Sequence, residues 1–311
     1  MQAIRLVDFG GSDALRLEQM PRPQPGPGQV LVAVRSIGVN PVDWKIREGY
    51  LRERMHLPMT AGQDFAGEVV EIGSALGSNE RIRSFQSGER VFGFAQGAYA
   101  EFALANGEQI APIPEGVDFA TAAALPTPGL TAEQMVTRAA VREGDRVLIH
   151  GAGGSVGSLA LQLCAIAQAD ITATVLGHDA GFVASLGADR VIDNKAQRFE
   201  DEIPEVDTVL DLVGGEVQRR SWRLIRAGGC LVTSVGLGGG DEQAAAERRG
   251  VRPIAFVMQR DASGLERVSA LVADGRLQVR IAKVLPFPQA REAQDLSQLG
   301  GAHGKILLRV A

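Results

Sequence analysis

Four glycines within a short stretch form the clearest chemical signal in the sequence. Gly151, Gly153, Gly154 and Gly157 lie in RVLIHGAGGSVGSLALQL, between a continuous apolar run and an amphipathic helical pattern. Glycines allow a tight turn and let backbone N–H groups approach a diphosphate at the positive end of a helix. A purely structural turn is the alternative, but the flanking strand and helix signals favour a dinucleotide site. The residues predicted to bind the cofactor here are Ala152, Gly153, Gly154, Ser155, Val156 and Gly157.

The segment after the second predicted strand bears on which dinucleotide binds. In an NAD site, an acidic side chain at the end of that strand accepts hydrogen bonds from the ribose hydroxyls. Here ITATV is followed by Leu176 and Gly177, so no carboxylate would repel a 2′-phosphate at the strand end, and His178 could contact it. We therefore predict NADPH. NADH stays open because a shift of one residue in register would place Asp179 where an NAD site carries its carboxylate. His178 could also be only a surface turn residue.

Charge and cysteine content exclude several classes of protein. The 311 residues include 32 Lys+Arg and 37 Asp+Glu, a net charge of −5, so we expect no nucleic-acid partner and no membrane partner. Two cysteines are too few for a disulfide framework or a four-thiolate zinc site. With no export-signal pattern at the N-terminus, we expect a cytoplasmic protein. Residues 147–169 form the longest uncharged stretch, but the glycine turn interrupts it, which predicts strand, turn and helix rather than a membrane span.

The hydrophobic pattern divides the chain into two halves. Residues 1–117 contain short β-like runs separated by Gly and Pro, typical of an irregular, mostly-β domain. From residue 118, apolar runs alternate with helical patterns, as parallel strands joined by crossover helices require. The predicted strands are Arg146–His150, Ile171–Val175, Arg190–Asp193, Asp207–Val213 and Gly229–Val235, and the predicted helices are Val156–Ala167, Ala180–Leu186 and Glu216–Ile225.

The C-terminal part continues this alternation. It contains a predicted strand, Pro253–Val257, helices near 263–273 and 289–299, and a final strand, KILLRV. The pattern alone does not show which half this tail joins. The charged segment DEQAAAERRG at 241–250 is the most loop-like piece.

Several strings of this sequence resemble, in order, the motifs of the medium-chain dehydrogenase/reductase superfamily. They are GVNPVDWKIREG (38–49), GQDFAGEVVEIG (62–73), GERVFGF (88–94), GAYAEF (97–102), AALPTPGLTA (123–132), LGAD (186–189) and GKILLRV (304–310). Within that superfamily, the chain is similar to the zinc-free quinone oxidoreductase branch. The resemblance implies an α/β protein with a GroES-like, mostly-β catalytic domain, residues 1–117 completed by 256–311, and a Rossmann doubly wound dinucleotide-binding domain, residues 118–255. It also implies a homodimer.

The same resemblance implies that no zinc is bound. Where zinc-dependent relatives carry Cys, His and acidic ligands, this chain has Asn40, Gln63–Asp64 and Pro126 or Thr127. Neutral amides and a hydroxyl are poor zinc ligands. Without a Lewis acid, the favoured substrates are those that spread the incoming charge by conjugation. We therefore predict hydride transfer from NADPH to a small quinone or α,β-unsaturated carbonyl.

The predicted catalytic residues lie in NPVDWKIREGY. By resemblance, Asn40 hydrogen-bonds near the nicotinamide or the substrate carbonyl, and Asp43 orients its neighbours. Lys45 could donate a hydrogen bond or proton to the forming enolate, although some family members carry Tyr there. Those family members carry a second Tyr slightly further on, at the position that Leu51 occupies in this chain. Tyr50 lies one position before it. The proton donor stays open between Lys45, Tyr50 and water.

Further cofactor contacts follow from the resemblance alone. It implies that Thr127 and Thr131 lie along the dinucleotide, and that Val235 and Gly236 end the fifth strand on the nicotinamide side. It also implies that Phe256 and Val257 bind the carboxamide and that Lys305 approaches a phosphate. Each has a structural alternative: a helix-start hydroxyl, a core strand residue or a solvated lysine.

Two other functions stay open. The first is a 2-enoyl thioester reductase of the same superfamily, for which we expect a basic entry rim; Arg52 and Arg54 are the only nearby hint. The second is a non-catalytic nucleotide- or RNA-binding protein on the same fold. The net negative charge and the lack of interleaved aromatic and basic residues count against RNA.

Overall fold

The computed structural model describes residues 1–74 and 80–310. The strands are β1 (Gln2–Leu6), β2 (Leu15–Gln19), β3 (Gln29–Val39), β4 (Met59–Thr60), β5 (Asp64–Ile72), β6 (Arg90–Phe94), β7 (Phe102–Asn106), β8 (Ile110–Pro112), β9 (Arg146–His150), β10 (Asp170–Val175), β11 (Arg190–Asp193), β12 (Val206–Asp211), β13 (Ile225–Thr233), β14 (Arg252–Ala255), β15 (Ile281–Pro286) and β16 (Lys305–Arg309). The helices are α1 (Pro41–Arg47), α2 (Glu80–Ser84), α3 (Phe119–Ala123), α4 (Pro126–Ala139), α5 (Ser155–Ile166), α6 (Ala180–Ser185), α7 (Phe199–Glu202), α8 (Gly215–Ser221), α9 (Gly240–Glu247), α10 (Ala262–Ala273) and α11 (Ala290–Leu299).

One compact unit, residues 128–259 and 276–278, is built on a six-stranded parallel sheet. The strand order is β11-β10-β9-β12-β13-β14, which places the topological switch between β9 and β12. In such sheets, ligands bind outside the carboxyl ends of the strands at that switch. Strand β9 is apolar because both faces of a parallel sheet are covered, and Val147, Leu148 and Ile149 are all buried. The predicted doubly wound arrangement is confirmed.

The other compact unit, residues 1–127, 260–275 and 279–311, is mostly β. Its larger sheet has the order β15-β16-β3-β5-β6-β8, with β7 also paired to β3, and a smaller sheet has the order β2-β1-β4. Strand β16 runs antiparallel to β3, with Leu307 opposite Gly38. The C-terminal strand therefore completes the N-terminal sheet. The core of this unit includes the buried rings of Phe65, Phe92 and Tyr99.

The two units meet in sequence at residues 127 and 259, whereas the sequence analysis placed the divisions at 117 and 255. The first difference comes from α3, which packs against β3 and β5 of the mostly-β unit. Its alanines, including Ala122 and Ala123, are buried there. Such a contact between distant segments leaves no mark in local periodicity.

The structure also corrects some element boundaries. Strand β13 ends at Thr233 rather than Val235, and β14 ends at Ala255 rather than Val257. The prediction of a loop at 241–250 was wrong, because α9 occupies Gly240–Glu247. Alanines favour helix, and Asp241 and Glu242 in the first turn suit the positive end of a helix. Among the described residues, no helix combines the length and apolar character needed to cross a bilayer.

Candidate functional site

A buried polar cluster lies where α1 begins. Pro41 is the first helical residue, where its fixed φ suits a helix start, and Asn40 precedes it. The backbone N–H of Asn40 donates to Asp43 Oδ2 at 2.8 Å, and the Tyr99 hydroxyl donates to the same oxygen at 3.0 Å. All three side chains are buried. Asp43 is therefore placed to orient its neighbours.

Lys305 forms the other side of this cluster. Its ammonium donates to Asn40 Oδ1 and lies 3.5 Å from Asp64 Oδ2. Asp64 also accepts from Thr127, at 3.0 Å from the backbone N–H and 2.6 Å from the hydroxyl. Lys305 is 3% exposed and Asp64 is 0% exposed. To meet the phosphate that the sequence analysis predicted for it, Lys305 would have to leave these partners; that contact stays a prediction.

The pairing with Lys305 fixes which way the Asn40 amide points. An ammonium group only donates hydrogen bonds, so the amide oxygen must face Lys305 and the NH2 group must face away from it. Among the described residues, no acceptor reaches Asn40 Nδ2. A buried donor without a partner costs about 1–3 kcal/mol, so this NH2 group is prepared for a ligand oxygen.

Burial sets the charge states within the cluster. It raises the pKa of Asp43 from 3.8 to about 7, with a smaller contribution from Asp64, while the Asn40 N–H and Lys305 oppose the rise. Burial also lowers the pKa of Lys305, against the attraction of Asp64 and Asp43. Near neutral pH, Asp43 therefore exchanges a proton readily.

Two predicted catalytic residues lie outside this cluster. Tyr50 is 68% exposed and meets the Trp44 ring edge-on, with the ring centroids 6.0 Å apart. The Lys45 ammonium lies over the same Trp44 ring, 5.6 Å from its centroid. The structure does not bring either side chain to Asn40, and their role as proton donors stays a prediction.

The largest pocket described in the mostly-β unit has a volume of about 620 Å³, within the usual range for small-molecule sites. Its walls mix apolar and polar groups, and the polar ones include Gln63, Arg260 and Arg54, the last of which the sequence offered as a hint of a basic entry rim. The Arg260 guanidinium donates to Gln63 Oε1 and lies over the Phe94 ring, 5.2 Å from its centroid. The apolar lining includes Ile46, Met55, Met59 and Ala95. The pocket has room for a small molecule.

In the parallel-sheet unit, the glycine turn joins β9 to α5 and fits a diphosphate. A Cβ on Gly157 would lie 2.2 Å from the Gly151 carbonyl oxygen, so this glycine is required for close packing. A Cβ on Gly154 would meet only that oxygen, at 3.4 Å. Gly154 caps the twelve-residue helix α5, and no described side chain caps it. Its free N–H groups and positive dipole end suit a pyrophosphate.

The acidic residue after β10, rather than the histidine, lies against this turn. Asp179 is 4% exposed, and a Cβ on Gly153 would lie 2.5 Å from Asp179 Oδ2. The His178 side chain is 53% exposed. The carboxylate thus occupies the region where an NAD site carries its acid. The predicted contact of His178 with a 2′-phosphate stays untested.

His150 ends β9 directly before the glycine turn and is fully buried. Its Nε2 lies 2.8 Å from Ser221 Oγ, and its Nδ1 lies 2.8 Å from Thr174 Oγ1. Because Ser221 donates its own proton to the Val217 carbonyl, it must accept from Nε2–H, and Nδ1 then accepts from Thr174. This neutral tautomer ties the end of β9 to β10 and α8.

Acid is expected to weaken this connection. Burial lowers the pKa of His150 from 6.5 to about 4, so the unfolded chain takes up a proton between these values and the folded chain does not. The contribution of His150 is complete above pH about 6.5 and falls by up to about 3 kcal/mol as the pH drops to about 4. Urea unfolding at pH 7 and pH 5 measures this, and a His150→Gln variant should lose less stability than the wild type over that interval. An equal loss in both proteins would contradict the assignment.

The residues predicted near the nicotinamide follow β13 and β14. The Phe256 N–H donates to the Thr233 carbonyl at 3.1 Å, and the Phe256 ring lies under the Arg138 guanidinium, 4.7 Å away. Val235 is 47% exposed, Val257 is 81% exposed, and Gly236 has φ +97°. They lie at the carboxyl ends of the strands, where ligands of such sheets bind. Thr131 is instead buried within α4.

Sequence reasoning did not single out Tyr99 or Gln294. Tyr99 lies in GAYAEF, a segment that contributed only to the family resemblance. A tyrosine in an apolar strand pattern needs a hydrogen-bond acceptor for its hydroxyl, and that need could have pointed to a buried polar partner. Gln294 lies on the buried face of the amphipathic helix α11. A polar residue on that face could have indicated a buried polar contact. Asp64 was noted only as a substitute for a zinc ligand.

Comparison with known proteins agrees with this architecture. The family model for the alcohol dehydrogenase GroES-like domain matches residues 26–115, and the model for zinc-binding dehydrogenase matches residues 186–308. Asn40 and Asp64, which stand where zinc-dependent relatives carry ligands, lie in the first of these ranges and outside the second.

Complete proteins match along nearly the whole chain. The quinone oxidoreductase of Sus scrofa is 31% identical, over 99% of this chain and 97% of its own. An NADPH-dependent alkenal/one oxidoreductase of Arabidopsis thaliana chloroplasts is 31% identical, over 99% of this chain and 79% of its own. The solved quinone oxidoreductase of Coxiella burnetii superposes with a TM-score of 0.91 at 31% identity, covering 100% of this chain and 99% of that one. The chain therefore belongs to the medium-chain dehydrogenase/reductase superfamily, in its quinone oxidoreductase-like branch.

Proposed function

We propose that this chain transfers hydride from NADPH to a small quinone or α,β-unsaturated carbonyl, and that it does so without zinc. The observation that carries the proposal is the Asn40 amide, whose oxygen is occupied by Lys305 and whose NH2 group is left to donate. NADPH supplies the hydride when it is bound. The Asn40 NH2 group stabilises the oxygen on which negative charge develops, and Lys305 adds positive charge behind it.

The same arrangement supports catalysis without zinc. A metal between Asn40 and Asp64 would compete with the Lys305 ammonium, which already lies against both side chains. Amide oxygen and a single carboxylate are also a weak ligand set for zinc. The positive charge that a metal would supply is therefore supplied by lysine.

Absorbance of the reduced nicotinamide tests the activity directly. Purified protein is mixed with NADPH and a panel of small enones, quinones and enoyl-CoA thioesters, and its metal content is measured in parallel. We expect oxidation of NADPH with enones or quinones and less than one zinc per ten chains. Preferential turnover of enoyl-CoA would favour the thioester reductase, and stoichiometric zinc would contradict the proposal.

Cofactor choice depends on Asp179. A carboxylate near the adenosine ribose repels a 2′-phosphate, so Asp179→Asn is expected to lower the KM for NADPH several-fold and leave that for NADH unchanged or higher. Steady-state kinetics with both cofactors measures the ratio. A matched change at the exposed Asp201, Asp201→Asn, controls for net charge. An unchanged NADPH/NADH ratio in the Asp179 variant would show that this carboxylate does not face the ribose.

We propose that the protein is a cytoplasmic homodimer with no nucleic-acid partner. Strand β14 lies at the edge of the parallel sheet, where a second copy could pair with it. Cys164 and Cys230 are unpaired and buried, and burial raises the pKa of Cys164 to about 12, which suits a reducing compartment. Light scattering tests the oligomeric state, and a monomer at micromolar concentration would contradict it.

A further inference from the structure

A small internal cavity of about 30 Å³ lies beside α1 in the mostly-β unit. Its walls include Asp43, Arg47 and Gln294, all of which are buried. Four polar atoms of these side chains lack a regular hydrogen bond among the described residues: Asp43 Oδ1, Arg47 Nε, and Nε2 and Oε1 of Gln294. The Gln294 amide does interact with the Tyr99 hydroxyl, which can engage at most one of its two polar atoms. Buried polar groups are nearly always hydrogen-bonded, so four such atoms around one cavity require an explanation.

Bound water would satisfy these atoms. One water molecule needs roughly 10–15 Å³ of such a cavity, so a cavity of about 30 Å³ has room for two or three. The atoms include two acceptors and two donors, and a water molecule that both donates and accepts can bridge them. Leu6 and Leu15 form apolar walls without polar side chains, and the Tyr99 hydroxyl, which donates to Asp43 Oδ2, is the competing partner of the Gln294 amide.

The cavity is a neighbour of the 620 Å³ pocket. Ile46, Met59, Gly62 and Gln63 line both. Gly62 has no room for a side chain, since a Cβ there would lie 1.9 Å from the Tyr99 ring. The cavity beside Asp43 and the larger pocket therefore adjoin along these four residues.

We propose that this cavity binds water between Asp43, Arg47 and Gln294, and that this water carries a proton from the Asp43 carboxyl group toward the reduced substrate. The inference rests on the proposed function. Hydride supplies the electron pair, the anionic oxygen of the enolate or of the quinol monoanion takes a proton from the water, and the water takes the proton of Asp43. Solvent then reprotonates the Asp43 carboxylate, so no further oxidant or reductant is needed.

The charged groups around Asp43 allow this role. Tyr99 donates to Oδ2, Asp64 disfavours ionisation, and Lys305 favours it. Arg47 lines the cavity and its Nε has no hydrogen-bond partner among the described residues, while its Nη2 donates to Gln298 at 2.5 Å and its Nη1 lies 3.7 Å from Asp295. The balance places the pKa of Asp43 at about 7, which suits a proton donor at physiological pH.

A high-resolution crystal structure of the wild-type protein tests the water site without reference to activity. We expect ordered density within about 2.6–3.2 Å of both Asp43 Oδ1 and the Gln294 amide. A dry cavity, or a Gln294 side chain that bonds directly to Asp43, would overturn the proposal.

Gln294→Leu tests the proton step, because it removes the amide but leaves Asp43 and the fold of α11 in place. We expect kcat for enone reduction to fall at least about tenfold, with an increased solvent deuterium effect and little change in the KM for NADPH. Glu292→Gln, on the exposed side of the same helix, should keep the wild-type rate. A lower melting temperature with unchanged kcat and solvent isotope effect would show a purely structural role and overturn the relay.

Asp43→Asn is the second variant, because it keeps a similar shape but carries no transferable carboxyl proton. We expect it to remove the decline of kcat as the pH rises through about 7. Retention of that decline would assign it to another group and overturn the relay. If the wild-type protein reduces no enone or quinone, the proposed function fails instead, and the crystallographic test of the water still stands.

Discussion

Replacing Gly154 with valine is expected to abolish NADPH binding and leave the fold intact. A Cβ at this position meets only the Gly151 carbonyl oxygen at an ordinary 3.4 Å, so the chain can accept a side chain there. Gly154 caps α5, so that side chain would stand over the N–H groups that receive the pyrophosphate. We expect the Kd for NADPH, measured by calorimetric titration, to rise at least about 100-fold, with a melting temperature close to that of the wild type.

Two other glycines provide the matched controls. At Gly157 a Cβ would lie 2.2 Å from the Gly151 carbonyl oxygen and 2.7 Å from Ala152 Cα, so Gly157→Val should destabilise the protein itself. At Gly181, in α6, a Cβ meets no atom within 4 Å, so Gly181→Ala should keep both stability and cofactor binding. If Gly154→Val bound NADPH as tightly as the wild type, the pyrophosphate could not lie at the start of α5.

The glycine turn and the parallel sheet were predictable because their signals are local. Strands β9 and β11 have the bounds that the apolar runs predicted, and α5 begins within one residue of its predicted start. Burial on both faces forces a parallel strand to be apolar throughout, and that property is visible without any partner. The resemblance to a known family then supplied the catalytic segment that begins at Asn40.

The candidate site was less predictable because its contacts join distant parts of the chain. Lys305 and Asn40 are 265 residues apart, and their contact depends on β16 pairing with β3. In the sequence, Lys305 simply follows a glycine in a family motif. That position is compatible with a solvated lysine and with one that binds a phosphate. The cavity beside Asp43 likewise depends on Gln294 from α11. Local periodicity carries no information on such pairings.

Replacing Lys305 with methionine is expected to be the most destabilising single change at the site. It would remove the ammonium 3.5 Å from the Asp64 carboxylate, which is 0% exposed, and leave the weaker attraction of Arg260; removing one partner of a buried ion pair typically costs about 3–5 kcal/mol. Urea unfolding at pH 7.5 measures the loss. Lys283→Met is the matched control: this lysine pairs with Glu292 at 2.8 Å on the exposed surface, where such a pair contributes about 0–1 kcal/mol.

A second substitution separates the lost pairing from lost packing. In Lys305→Met/Asp64→Asn the buried charge is gone, and the amide oxygen that replaces Oδ1 can still accept from the Thr127 hydroxyl, although the NH2 group that replaces Oδ2 cannot accept from the Thr127 backbone N–H. We therefore expect the double variant to regain at least half of the stability that Lys305→Met loses, although the Asn40 oxygen then lacks its donor and enone reduction stays impaired. If the loss in the double variant equals the sum of the losses in Lys305→Met and Asp64→Asn measured alone, the two side chains are not energetically coupled, and the ion pair does not stabilise the site.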